Sequence, residues 1–158
     1  MVETYADKIY RLALRYTGDR AQAEDLTQET YLRAYKNLAS YDHSKPAGPW
    51  LYKIATNLCR NWLRDHRELP FDFSDETVLP QVTGPEELYL QKEMAENLLS
   101  ALEKLPLNYR EVLVLRHVSE LSYAEICEVL DLELSLVKNR LYRGRMMLKE
   151  SLAAVREG

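Results

Sequence analysis

The sequence predicts an all-α protein: two small helical domains joined by a flexible linker, the C-terminal one a helix-turn-helix domain. Three observations predict it. Apolar residues recur every three or four positions along most of the chain, and no segment alternates in the manner of a strand. The stretch from Arg67 to Pro85 breaks the pattern with three prolines and most of the excess acid. The predicted units are residues 1–66, the linker 67–85, and residues 86–158.

A chain of 158 residues suits one domain or two small ones, and 46% hydrophobic content is enough for packed cores. No apolar run approaches the roughly 20 residues that cross a bilayer, and no signal-peptide pattern opens the sequence. The two cysteines, Cys59 and Cys127, lie far apart inside helical patterns. Buried thiols in a reducing cytoplasm are expected, not a disulfide. The net charge of −4 opposes nucleic-acid binding taken alone, but its distribution does not. Residues 1–66 carry ten Lys/Arg against eight Asp/Glu, 67–87 one against six, and 88–158 ten against eleven. A chain so charged should hold naked DNA weakly and need a partner to load it.

Val2, Tyr5, Ile9, Leu12 and Tyr16 define the first amphipathic helix, which Thr17-Gly18-Asp19 ends while starting the next. The second runs to about Ser40, with Ala23, Leu26, Thr30, Ala34 and Leu38 as candidate core. Asp25, Gln28, Glu29, Arg33 and Lys36 form a mixed charged stripe elsewhere on it, by itself an ordinary solvated face. Tyr41 to Gly48 is a loop, and Pro49 suits the first turn of a third helix. There Leu51, Ile54, Ala55, Leu58 and Trp62 share one side. Tyr52, Lys53, Thr56, Asn57, Arg60, Asn61 and Arg64 cover the other, a surface with cations and no acid. Aromatics beside such a helix suit an unpaired nucleic-acid strand, because bases stack on rings while cations track phosphates. Trp62 reads as a core aromatic; Trp50, beside the loop, stays open between the two roles.

The linker's 19 residues span roughly 60 Å when extended, more than one turn of duplex at roughly 35 Å. A helix from about Glu86 to Lys104 follows, then one through about Val118 with Asn108 and Glu111 as a capping pair. Leu121 to Leu148 reads as two helices across a tight corner. Ser122 and Glu125 make a capping box, Ile126, Val129 and Leu130 one apolar face, and Asp131 to Leu134 the corner. At about 100° per residue, Val137, Leu141, Gly144 and Leu148 share one side of the last helix. Ser135, Asn139, Tyr142 and Arg143 lie opposite, with Lys138 and Arg145 on one edge and Arg140 on the other. An apolar back, short polar groups for base edges and cations for phosphates are what a helix in a major groove needs.

Three blocks in order carry a family resemblance: Ala23–Tyr35 (AEDLTQETYLRAY), Trp50–Leu58 (WLYKIATNL), and Leu105-Pro106 through Leu148. Together they resemble RNA polymerase sigma factors of the extracytoplasmic-function group within the sigma-70 family, over nearly the whole chain. The resemblance implies a transcription initiation factor that binds core RNA polymerase, recognises −35 and −10 promoter elements and helps open the duplex. By motif position Asp25, Gln28, Glu29 and Arg33 would face the clamp helices of the largest subunit, so the charged stripe acquires a partner. The second domain would meet the flap of the second-largest subunit. Tyr41, Asp42, His43 and Lys45 of the loop would accept a flipped base. Trp50, Lys53, Asn57, Arg60 and Arg64 would border that strand. Ser135, Lys138, Asn139, Arg140, Tyr142, Arg143 and Arg145 would serve the −35 element. The acidic linker would thread toward the RNA exit path. An anti-sigma factor is a further implied partner, with a cytoplasmic location and no membrane insertion.

The chain departs from the pattern at several points. Such sigma factors usually have a short helix before the one holding Ile9; truncation, a natural short form and a weakened first domain are the three readings. Ala47 stands where an aromatic is common, Asp131 replaces the turn glycine, and Glu133 stands at the usual capping Ser, leaving that job to Asp131 or Ser135. Met146 and Met147 fill positions that are often basic. With about four cations on phosphates the logarithmic salt slope would be roughly −3.6.

Two other readings stay open: a stand-alone helix-turn-helix regulator using the C-terminal domain, and a sigma-derived scaffold no longer competent for DNA. An enzyme is not expected. His43, His66 and His117 share no metal-ligand spacing with each other or the cysteines, and no phosphate loop or nucleophile motif occurs. No cofactor or metal is expected.

Overall fold

The computed structural model describes residues 2–66 and 98–157, with side chains described over 5–66 and 100–154. Helices are the regular elements of the described residues, which contain no strand. The linker and the start of the helix expected from Glu86 lie outside them. The N-terminal helices are α1 (Val2–Thr17), α2 (Arg20–Lys36) and α3 (Ala47–His66). The C-terminal ones are α4 (Leu98–Lys104), α5 (Leu107–Leu113), α6 (Tyr123–Leu130) and α7 (Leu134–Glu157).

The turn between α1 and α2 follows from three residues. Gly18 adopts a left-handed φ of 67°, which a residue without Cβ tolerates, and its N–H donates to Leu14 O at 2.8 Å. Asp19 caps α2, its Oδ1 accepting from the N–H groups of Ala21 and Gln22 at 2.9 and 3.2 Å. Ile9, Leu12 and Tyr16 of α1, Ala23, Leu26 and Ala34 of α2, and Leu51, Ala55 and Leu58 of α3 are all buried. Helix α2 stops at Lys36 rather than near Ser40. The Asn37 amide donates to Arg33 O at 2.8 Å, and a short 3₁₀ turn, Leu38–Ser40, follows. That turn takes Leu38 off the helical register, and it is 42% exposed instead of joining the core.

In the C-terminal helices Val137, Leu141, Gly144 and Leu148 are buried as the spacing requires. Gly144 lets α7 approach α5 closely: a Cβ there would lie 2.9 Å from Leu113 Cδ1 and 3.3 Å from Tyr109 Cβ. The capping box of α6 is complete, with Glu125 N–H on Ser122 Oγ at 3.1 Å and Ser122 N–H on Glu125 Oε1 at 2.9 Å. Asp131 takes the left-handed conformation (φ 55°, ψ 53°) expected of it in place of glycine, so the corner survives. Glu133 precedes α7, and its carbonyl accepts from Leu136 and Val137.

The expected capping pair of α5 is not formed. Pro106 begins that helix without a side-chain cap, and Asn108 and Glu111 are both buried. Helix α5 runs into a π-helical turn, Val114–Val118, and the chain then reverses through Glu120 at a φ of 59°. There Arg116 donates to Leu121 O at 2.9 Å and lies over the Tyr123 ring, 4.9 Å from its centroid. The two halves are not held apart. Helix α3 packs against α6, and α1 against the π-helical turn and α4.

Candidate nucleic-acid interface

Helix α3 divides along its length. Lys53, Asn57, Asn61 and Arg64 are exposed, one turn apart and free of acid apart from Asp65, whose carboxylate lies 3.8 Å from Arg64. Tyr52 and Thr56, expected on the same outer surface, are instead buried, because α6 covers that side. Burial pushes the Tyr52 phenol up to about 12, against a smaller downward pull from Ser119 in the C-terminal half.

Arg60 lies between these two sides and is already engaged. Its Nε and Nη2 donate to Glu111 Oε1 and Oε2 at 2.5 and 2.7 Å, a bidentate pair joining α3 to α5. Tyr16 OH donates to the same Glu111 Oε1 at 2.6 Å. Glu111 is 1% exposed, so its charge is compensated by two groups from the other half of the molecule. The pairing raises the Arg60 pKa, mainly through its hydrogen bond to Glu111. Burial raises Tyr16 well above the usual phenol value, and the adjacent carboxylate adds to it. The α-helical spacing of Asn108 and Glu111 suggested a cap; only the fold places Glu111 opposite Arg60.

The loop before α3 is ordered by its own polar groups. Asp42 Oδ1 accepts from Ser44 N–H and Oγ–H at 3.0 and 2.6 Å, which lowers the Asp42 pKa. Tyr41 OH donates to Lys45 O, and its ring stacks on Trp50 with centroids 4.8 Å apart and planes at 22°. His43 meets Tyr41 edge-on, 4.7 Å between centroids. Asp42, His43 and Lys45 are exposed, while Tyr41 and Trp50 are half-buried. Trp62 is also half-buried, stacked on His66 at 4.6 Å.

On α7, Ser135 is exposed and Lys138, Tyr142 and Arg143 are half-buried. Asn139, Arg140 and Arg145 are buried, contrary to the open face the spacing predicts. Arg140 and Arg145 lie about 70° either side of the apolar centre, where their stems pack beside it. Arg145 Nη2 is 3.5 Å from His117 Nε2, and Arg143 Nη1 donates to Tyr109 OH at 3.4 Å. Asn139 is opposite the apolar side yet only 9% exposed.

The α2 stripe is open. Asp25, Gln28 and Arg33 are exposed, Glu29 is partly so, and Glu29 pairs with Arg33 at 3.2 Å. Beside them Leu32 is 54% and Tyr35 80% exposed, apolar groups that the sequence reading left out. Their break from the buried register of Ala23, Leu26, Thr30 and Ala34 is the signal that could have found them.

Residues 1–68 match the family model described as sigma-70 region 2, and residues 95–148 the one described as sigma-70, region 4. The chain is 36% identical over 164 residues to the ECF RNA polymerase sigma factor SigW of Bacillus subtilis, covering 96% of this chain and 87% of that protein. It is 36% identical over 150 residues to SigM of the same organism, covering 93% and 90%. Among solved structures, CnrH in complex with the cytosolic domain of CnrY aligns with a TM-score of 0.72 at 25% identity, covering 97% of this chain and 85% of that one. The sigma factor RpoE in complex with the anti-sigma factor NepR from Bartonella quintana aligns at 0.73 and 22%, covering 96% and 94%, and shows a shared fold.

Proposed function

Because this chain belongs to the extracytoplasmic-function group of RNA polymerase sigma factors, we propose a division of labour among its surfaces. The chain is a transcription initiation factor that binds core RNA polymerase and recognises promoter elements through its region 2 and region 4 segments. The finer assignments are ours. Residues 1–66 serve core binding and the −10 element, 86–158 the −35 element, and 67–85 the connection between them.

Asp25, Gln28, Glu29 and Arg33 dock on the clamp helices of the largest subunit, with Leu32 and Tyr35 supplying apolar contact area; the C-terminal half meets the flap. Lys53, Asn57, Arg60 and Arg64 track the unpaired −10 strand, joined by Trp50 and the loop residues Tyr41, Asp42, His43 and Lys45. Ser135, Lys138, Asn139, Tyr142 and Arg143 read the −35 duplex, flanked by Arg140 and Arg145. The observation that carries the −10 assignment is the acid-poor exposed row Lys53–Asn57–Asn61–Arg64 running from the Tyr41–Trp50 stack.

The chain acts as an initiation factor and not as an enzyme, in the cytoplasm, and an anti-sigma protein is a further partner. No described helix is long and apolar enough to cross a membrane. The burial of Asn139 and the engagement of Arg60 favour a second reading, a sigma-derived scaffold that does not read DNA.

Core polymerase pull-down tests the assignments. The parent chain should be retained, and the charge reversal Arg33→Glu combined with Asp25→Lys should lose retention while keeping the fold. No retention of the folded parent contradicts the function. Promoter-specific output abolished by Arg143→Ala removes the scaffold reading.

A further inference from the structure

We propose that Glu111 is an internal stand-in for a DNA phosphate: it holds Arg60 in a closed molecule, and Arg60 reaches nucleic acid only when the two halves part. The inference rests on the sigma-factor reading, which puts Arg60 beside the −10 strand.

A carboxylate at 1% exposure is costly unless it is compensated, and the two groups that donate to Glu111, Arg60 and Tyr16, both come from the other half of the chain. Arg60 presents its planar fork to both carboxylate oxygens, the geometry it would use on a phosphate. Tyr16 completes the site from α1, so three helices converge on one anion. Arg60 differs in this from Lys53 and Arg64, which lie on the same helix and face solvent. The same closure that pairs Arg60 also buries Tyr52 and Thr56 under α6. The Nε–Nη2 edge of Arg60 that Glu111 occupies cannot at the same time face a phosphate. Closure and strand binding are therefore competing states of one cation, and any agent that parts the halves raises the affinity for DNA.

The test compares the full chain with Glu111→Gln and Arg60→Gln. Solution scattering reads the opening, and fluorescence anisotropy with a single-stranded oligodeoxynucleotide of mixed sequence reads the exposed cation. Both variants should show a larger radius of gyration than the parent. Only Glu111→Gln should bind the oligonucleotide more tightly, by about tenfold, since it alone frees a cation. Arg60→Gln lies on the more exposed side of the pair; if Glu111→Gln fails to fold, the scattering of Arg60→Gln decides. Variants as compact as the parent overturn the proposal, as does equal tightening in both. Scattering needs no polymerase, so a parent chain that fails the core pull-down sinks the sigma-factor reading separately.

Discussion

Tyr41 and Trp50 stack at 4.8 Å and 22°, joining the loop to the first turn of α3. The stack holds flat aromatic faces beside the exposed cations of that helix, the place proposed above for an unpaired base. Trp50→Ala should weaken oligonucleotide binding by about 1–3 kcal/mol, the range for one lost stacking platform. Tyr41→Phe keeps the stack and loses only the hydrogen bond to Lys45 O, so its binding should fall by no more than about 1 kcal/mol. Anisotropy titrations of the two variants check the order.

Tyr35 is 80% exposed, so Tyr35→Ala should leave thermal stability unchanged within about 0.5 kcal/mol. The same substitution should lower retention on core polymerase by about tenfold if Tyr35 lies in the docked surface. Calorimetry and pull-down on one preparation separate the two effects.

Leu141 is fully buried, and Leu141→Ala should destabilise the C-terminal half by about 2–5 kcal/mol. Gly144→Ala should cost about 1–3 kcal/mol, because the added Cβ meets Leu113 and Tyr109 and α7 must move off α5. Denaturant unfolding followed by circular dichroism measures both.

Alkaline pH should open the molecule. Tyr16 and Tyr52 both titrate above the ordinary phenol value of 10.0, Tyr52 at about 12. A raised folded-state pKa means that the stabilisation is complete below pH 10.0 and is lost as pH climbs through the folded value. Tyr16 and Tyr52 should ionise only above the ordinary phenol range in an ultraviolet absorbance titration, with a rise in radius of gyration alongside. Their titration within that range, before any expansion, would contradict this.

Cys59 is buried beside Glu111, and burial pushes its thiol up to about 12. Cys127 is half-buried with a smaller rise. Alkylation near neutral pH should therefore label Cys127 first, and mass spectrometry of the peptides checks it.

Much of this was legible in the residues. The three N-terminal helices, the capping box at Ser122, the left-handed Asp131 and the apolar side of α7 all follow from spacing or local hydrogen bonding, which act within a few residues. What was not legible depends on distant partners. Glu111 has an acceptable capping position in sequence, and only packing of α5 against α1 and α3 makes it the partner of Arg60 and Tyr16. Tyr52 and Thr56 share the solvent side of α3 by periodicity and are covered by α6, an element more than 50 positions away. Leu38 left the core because Asn37 ended its helix, a short-range event that the apolar pattern outweighed on paper.

Transcription from a promoter library by core RNA polymerase, with and without this chain, tests the central claim most directly. Discrete start sites that appear only when chain and core are combined, and that vanish with Arg143→Ala, are the predicted result. An unchanged transcript profile on addition of the folded chain would contradict it.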